Sequence, residues 1–187
     1  FVTGMELEGV CADLKTVHPR RMMAGSGKGT ETFVSQGVSP RAASGKSIRV
    51  TTEDYGSVLL GFKGGARGVM TVSQVTEGRK NQLSYEIAGS KASVAWDSER
   101  PNEVWLGSRS GANSSLLRDP SLLSDSARAY SSYPGGHNEG FPDTFKQLYR
   151  AVYADIQKGR PSRNPPYATF EDGHRELLFC EAVLKSH

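Results

Sequence analysis

The sequence predicts an α+β domain: an open-faced, mostly antiparallel β-sheet with helices packed on one face. Three observations predict it. The stretch Tyr55–Val75 carries two apolar, β-branched runs around a Lys63-Gly64-Gly65 turn. Short alternating runs with short polar connections follow, as far as Gly107. Two segments with helical apolar spacing then close the chain. A sheet followed by two amphipathic helices leaves one sheet face covered and the other open.

Phe1-Val2-Thr3-Gly4 reads as the last turn of a helix stopped by a capping glycine. We therefore expect residues 1–187 to be one domain of a longer, two-domain protein. Met5–Leu14 reads as a strand, with Leu7, Val10 and Ala12 among its apolar positions. Lys15–Lys46 is rich in Gly, Ser, Thr and basic residues, and its bulky apolar residues are scattered. So long a weakly patterned stretch is uncommon inside a compact domain. Residues 15–46 are expected to form a mobile excursion or to rest on a partner subunit.

Ile48–Thr52 is a short strand, and Glu53-Asp54-Tyr55-Gly56 turns into the hairpin. Val58, Leu60 and Phe62 point one way because strand side chains alternate. Val69, Thr71, Ser73 and Val75 keep that period on the return strand. Gly64 and Gly65 supply the positive φ of a tight turn. A lone hairpin is marginal in water, so further strands must flank it. Glu77–Asn81 is a polar loop, and Leu83, Tyr85 and Ile87 alternate on the next strand. Gly89-Ser90-Lys91 turns the chain into Ala92–Trp96 and then Glu103–Gly107, with Pro101-Asn102 between those two strands. The run implies one meandering sheet.

Ser108–Tyr133 is irregular. Phe145, Leu148, Tyr149, Val152, Tyr153 and Ile156 then form one apolar helical stripe. Pro142 suits the first turn of that helix, Asp143 suits its positive end, and Gly159 with Pro161 stops it. Thr169-Phe170-Glu171-Asp172 opens a second helix in the manner of a capping box. Leu177, Cys180 and Leu184 form its apolar row, thickened by Leu178 and Ala182. Apolar residues on both faces of the middle strands, Leu59, Met70 and Val72 among them, leave a face that needs cover from a second copy or another domain.

Charge excludes some classes. With 23 basic and 20 acidic residues the net charge is +3, too balanced for the dense basic patch of a nucleic-acid surface. Lys63 and Arg67 are too few to make the hairpin a nucleic-acid platform, and the Arg20-Arg21 and Arg79-Lys80 pairs read as solvated surface. No apolar run has the length of a membrane span, and neither membrane nor nucleic acid is an expected partner. Cys11 and Cys180 read as buried thiols in a reducing compartment rather than a disulfide, and a cytoplasmic location is expected.

Gly25-Ser26-Gly27-Lys28-Gly29-Thr30 fails as a phosphate loop. Met22 stands where the first glycine belongs, and Gly29 stands where a Ser or Thr must follow the lysine. It fails as a dinucleotide fingerprint too, because Thr30 replaces the third glycine. Neither His-Glu-x-x-His nor Cys-x-x-Cys occurs, and no metal site is expected. His174 and Arg175 read as surface groups. His137-Asn138-Glu139 differs: these polar side chains stand between Gly136 and Gly140, directly before a helix. Such a place can offer donors and a carboxylate to a hydroxyl-rich ligand, and plain turn chemistry explains it equally well.

Four stretches together carry a resemblance: the hairpin Val58–Val75, the strand Leu83–Gly89, the segment Pro134–Phe145, and the tail from Thr169 to Lys185. They resemble the C-terminal domain of the Gfo/Idh/MocA oxidoreductases, the superfamily of glucose-fructose oxidoreductase and inositol dehydrogenase. The resemblance covers most of the chain apart from Lys15–Lys46. It implies a separate N-terminal Rossmann domain carrying the nicotinamide site, a Glu-Lys-Pro motif with the catalytic lysine, and an Asp-x-x-x-His-type pair. This chain contains none of these. The parent is then expected to be an NAD- or NADP-dependent dehydrogenase of a sugar, cyclitol or derivative, passing hydride with general acid–base help.

By the same resemblance the chain alone has no catalytic residue, binds no cofactor, and forms a substrate-pocket wall and an oligomer interface on its open sheet face. Its expected partners are the Rossmann domain, a sugar-like substrate and further copies of itself. Two loops are substrate-facing by position in the family pattern. Arg79 would fix a carboxylate or phosphate, Asn81, Asn138 and Glu139 would bond hydroxyls, and His137 would line the pocket with Glu139. On the residues alone, Arg79-Lys80 remains an exposed polar turn. The alternative function is a non-catalytic ligand-binding or assembly module.

Overall fold

The computed structural model describes residues 2–22 and 46–187. Most of the expected excursion, and the rejected loop Gly25–Thr30 with it, lies outside the described residues. Within them run β1 (Leu7–Lys15), β2 (Arg20–Met22), β3 (Ser47–Arg49), β4 (Tyr55–Phe62), β5 (Arg67–Ser73), β6 (Ser84–Ala88), β7 (Ala92–Asp97), β8 (Glu103–Ser108) and β9 (Ser114–Leu117). Helices α1 (Asp125–Arg128), α2 (Phe141–Gln157) and α3 (Phe170–Ser186) follow. The fold is α+β, and every described strand pairing is antiparallel. The strands form three ladders, β1-β4-β5, β2-β3 and β6-β7-β8-β9, instead of one meander. The chain divides into two compact units: one runs to Glu77 and includes His174–His187, the other is Gly78–Gly173.

In the first unit the hairpin forms as its sequence dictates. Gly64 and Gly65 take φ of +84° and +89°, and the turn closes with Phe62 N–H donating to Ala66 O at 3.1 Å. The register sorts the faces. Val58 lies opposite Ala12 and Met70 and is 2% exposed. Leu59 lies opposite Cys11 and Val69 and is 61% exposed. Of the three residues expected to lie open, Leu59 and Val72 are exposed and Met70 is half-buried. Met70 and Val72 share the face of Val58, because a one-residue step reverses a strand side chain. Cys11 and Val69 join Leu59 instead.

The edge strand β1 is met by the end of α3. Ser186 Oγ accepts from Ala12 N–H at 3.1 Å, and His187 Nδ1 accepts from Leu14 N–H at 3.2 Å. Two outward amides of the edge are thereby satisfied. The side of α3 that is half-buried carries Phe179 and Val183. The expected row, Leu177, Cys180 and Leu184, is exposed, as is Leu178. This helix is apolar on both sides, so its apolar spacing alone did not select the face. The cysteines are free, as expected, but both are exposed rather than buried, for they lie on these two open faces.

Asp54, at the turn into the hairpin, is buried. Its carboxylate accepts from Val17 N–H at 2.6 Å, His18 N–H at 3.1 Å and Arg21 Nη2 at 3.1 Å. The short strand expected at Ile48–Thr52 is Ser47–Arg49, paired with Arg20–Met22 inside the stretch read as unpatterned.

The second unit holds β6 to β9 and α2. β9 and α1 fall within Ser108–Tyr133, the stretch read as irregular. α2 starts as its sequence specifies: Asp143 Oδ2 accepts from Gly140 N–H at 2.9 Å, and Pro142 sits in the first turn. Gly159 ends it at φ +69°. Its faces reverse the expectation. Phe145, Leu148, Tyr149, Tyr153 and Ile156 are exposed, while Asp155 is buried. Asp155 accepts from Ser162 N–H and Oγ, both at 2.7 Å, and from Tyr167 Oη at 2.8 Å. With Lys158 Nζ at 3.3 Å as a fourth donor, the carboxylate tethers the proline-rich link to the inward side of α2. α3 opens with the expected capping box: Thr169 N–H donates to Asp172 Oδ2 at 2.8 Å, and Asp172 N–H donates to Thr169 Oγ1 at 3.3 Å. Among the described residues no helix is long and apolar enough to cross a membrane.

Candidate functional site

A polar cleft of about 350 Å³ opens in the second unit. One wall is the Glu99–Glu103 turn between β7 and β8, and the other is Asn138, Glu139 and Gly140 at the start of α2. Hairpin geometry positions the first wall, since Arg100 N–H and Glu103 N–H close successive turns onto Asp97 O and Arg100 O. A polar knot positions the second. Asn102 Nδ2 donates to Glu139 O at 2.9 Å, and Glu139 N–H donates back to Asn102 Oδ1 at 3.1 Å. Asn102 thus pairs with the loop backbone much as a neighbouring strand would.

Arg118 completes the knot. Its Nε donates to Asn102 Oδ1 at 2.9 Å, and its Nη1 lies 2.9 Å from Glu139 Oε2. The guanidinium also donates to Ser131 Oγ and to the carbonyls of Tyr133, Pro134 and His137. Arg118 and Glu139 are 14% and 11% exposed along their side chains, so the pair is largely removed from water. Ser131 Oγ donates to the same Oε2 at 3.0 Å, and Ser132 N–H donates to Oε1 at 2.7 Å.

The expected site residues separate accordingly. Asn138 and Glu139 line the cleft. Asn138 is exposed, while the Glu139 carboxylate is occupied by Arg118, Ser131 and Ser132 and serves as an anchor rather than an open base. Arg79 reaches the opposite wall, with Nη1 2.6 Å from Glu99 Oε2 and both side chains about half exposed. Asn81 is exposed and does not line the cleft. His137 is exposed too, and its Nδ1 lies 3.4 Å from Gly135 O, turned to its own loop.

Charge around the cleft comes in pairs. Arg100 and Glu103 stand 3.6 Å apart. Lys146 beside Asp143, at 2.6 Å, and the Gly140 N–H hold the Asp143 carboxyl below the usual carboxylate range. Asp143 in turn raises Lys146, whose Nζ sits 4.7 Å from the centre of the Tyr133 ring. Asp97 is lowered chiefly by the Glu99 N–H, with Gln82 assisting. The arrangement can hydrogen-bond a small hydroxylated molecule through amides and paired charges. Among the described residues no group of three or more His, Cys, Asp or Glu side chains is placed to hold a metal ion. Sequence reasoning missed Asn102 and Arg118, since one sat in a turn and the other in a stretch with no periodicity.

The fold defines the class, an α+β domain of antiparallel ladders and helices. Residues 22–187 match the family model described as "Oxidoreductase family, C-terminal alpha/beta domain", and the chain belongs to that Gfo/Idh/MocA family. It is 30% identical over 143 residues to an uncharacterized oxidoreductase, YfiI, of Bacillus subtilis (strain 168), covering 74% of this chain and 36% of that one. An oxidoreductase from Sinorhizobium meliloti superposes with a TM-score of 0.76 at 26% identity, covering 99% of this chain and 45% of that one. An inositol dehydrogenase homolog from Azotobacter vinelandii, complexed with NADH and myo-inositol, superposes at 0.70 with 17% identity, which speaks to the fold alone, and covers 99% and 43%. The chain therefore spans less than half the length of each.

Proposed function

We propose that this chain is the substrate-facing and subunit-contacting domain of an NAD- or NADP-dependent oxidoreductase acting on a sugar, a cyclitol or a derivative. The polar cleft carries the proposal: amides and paired charges around about 350 Å³ suit a polyhydroxylated ligand. Family membership supplies the oxidoreductase class. The NADH and myo-inositol held by the Azotobacter relative favour a nicotinamide cofactor and a cyclitol-sized substrate.

Asn138 offers its amide to substrate hydroxyls, and Arg100 and Glu103 face the same space. Glu139 holds the wall in shape. Nicotinamide would supply the hydride chemistry. The described residues contain no strand entering a helix through a glycine-rich turn, the cradle a dinucleotide pyrophosphate uses. They do not fit that group, so the cofactor is assigned to the remainder of the parent protein and no catalytic residue is assigned here. The Cys11–Leu59–Val69 face meets a second copy, because an apolar patch of this kind is costly to leave wet. Two free thiols favour a reducing compartment, the cytoplasm.

The test is kinetic. Full-length protein supplied with NAD⁺ or NADP⁺ should reduce one of them with a member of a panel that includes myo-inositol and D-glucose. Asn138→Ala should then raise KM for that polyol by about tenfold, the worth of one hydrogen bond, and leave the cofactor KM unchanged. No turnover across the panel would favour the non-catalytic module instead.

A further inference from the structure

We infer that Arg118 is a positioning residue for the substrate cleft, the side chain that sets where Asn138 stands. This rests on the proposed role of the cleft. The loop from Ser131 to Gly140 has no ladder of its own among the described strands. Three of its backbone carbonyls, those of Tyr133, Pro134 and His137, converge on one guanidinium. The same guanidinium holds Ser131 Oγ, Glu139 and Asn102, so it joins both ends of the loop to the opposite wall of the cleft. Asn138 lies between two residues fixed this way, His137 through its carbonyl and Glu139 through its carboxylate and backbone.

The geometry demands arginine. Five N–H donors in a rigid planar fork can serve this many acceptors in divergent directions. A lysine brings the same charge with three donors on a flexible stem, and leaves several of these carbonyls without a partner. The consequence is specific to ligand placement: shifting Asn138 by a fraction of an ångström weakens its bond to a substrate hydroxyl and leaves hydride transfer in a correctly bound complex largely intact. The effect therefore falls on KM for the polyol.

In the full-length protein, Arg118→Lys should raise KM for the polyol turned over from the panel about tenfold, with kcat changed less than threefold and the cofactor KM unchanged. Amide hydrogen exchange should quicken in residues 131–140 and stay unchanged in the β4–β5 hairpin. Ser131→Ala removes a single anchor and should raise the same KM two- to threefold, which keeps the test open if the lysine variant folds poorly. An unchanged polyol KM in both variants, with faster loop exchange, overturns the assignment. A loss in kcat alone does so as well. The Asn138→Ala variant separates the two ideas. If it raises KM while Arg118→Lys and Ser131→Ala do not, the cleft stands and the role of Arg118 falls. If Asn138→Ala has no effect, the cleft falls and takes the positioning role with it.

Discussion

The β4–β5 hairpin and the 131–140 loop solve the same problem by opposite means. Each is a stretch of chain whose backbone must be held at a fixed place. The hairpin is held by neighbours in sequence: a regular ladder and two glycines in the left-handed region. The loop is held by groups from elsewhere, Asn102 on one side and Arg118 on the other. The hairpin spreads its cohesion over many equivalent bonds, so no single side chain decides it. The loop concentrates its cohesion in a few side chains, Arg118, Asn102 and Glu139. A region held by many equivalent bonds tolerates substitution, whereas a region held by a few side chains can be loosened by a single change.

The sharpest way to break this comparison is Arg118→Met. Removing one partner of a largely buried ion pair strands the other, and costs about 3 kcal/mol. Unfolding of the parent protein followed by fluorescence should register that loss. Arg118→Met combined with Glu139→Leu should recover part of it, since the orphaned carboxylate goes too. A loss below about 1 kcal/mol for the single variant would mean that the loop has other supports.

A smaller effect tests the hairpin. Val58 and Leu59 are adjacent and point to opposite faces. Val58→Ala opens a void on the covered face and should cost about 2 kcal/mol. Leu59→Ser should barely move the unfolding transition, because its side chain is already exposed, yet it should weaken self-association. Light scattering at several protein concentrations checks the second half. Equal destabilisation by the two variants, or unchanged association of Leu59→Ser, would erase the distinction between the faces.

What the sequence reveals follows the same division. Alternation at Val58, Leu60 and Phe62, with Gly64-Gly65 at the turn, made the hairpin legible because its determinants are local. The cap at Gly140–Asp143 and the Thr169–Asp172 box were legible for the same reason. Apolar spacing found α2 and α3 but chose the wrong sides. Asp155 binds Ser162 and Tyr167, and Ser186 binds β1, and these polar bonds orient the helices without leaving a period in the sequence. The candidate loop was visible as polar residues between glycines. That Asn138 faces the cleft while His137 does not, and that Glu139 anchors rather than contacts, depended on Arg118, more than a dozen residues away in an irregular stretch.

The finest comparison is between the two buried aspartates, one in each unit. Asp54 is held well below the usual carboxylate range first by the Val17 N–H, with His18 and Arg21 adding to it. Asp155 is held lower still, first by the Ser162 hydroxyl, then by the Ser162 N–H and Tyr167. Both folded values lie below the unfolded value of about 3.9. The folded state therefore binds fewer protons than the unfolded state. The stability each carboxylate contributes is complete above that unfolded value and is lost as the pH falls through it toward the folded value. Near neutrality neither group changes stability with pH, so the expected effect there is nil, and it grows only as the pH falls below about 4. Asp155→Asn should lower the melting temperature at pH 7 and flatten its decline between pH 4 and 2. Asp54→Asn should do the same less steeply, because its carboxyl is lowered less. A steeper acid decline in either variant would reverse the sign of the assigned linkage and free that aspartate from its role as a tether.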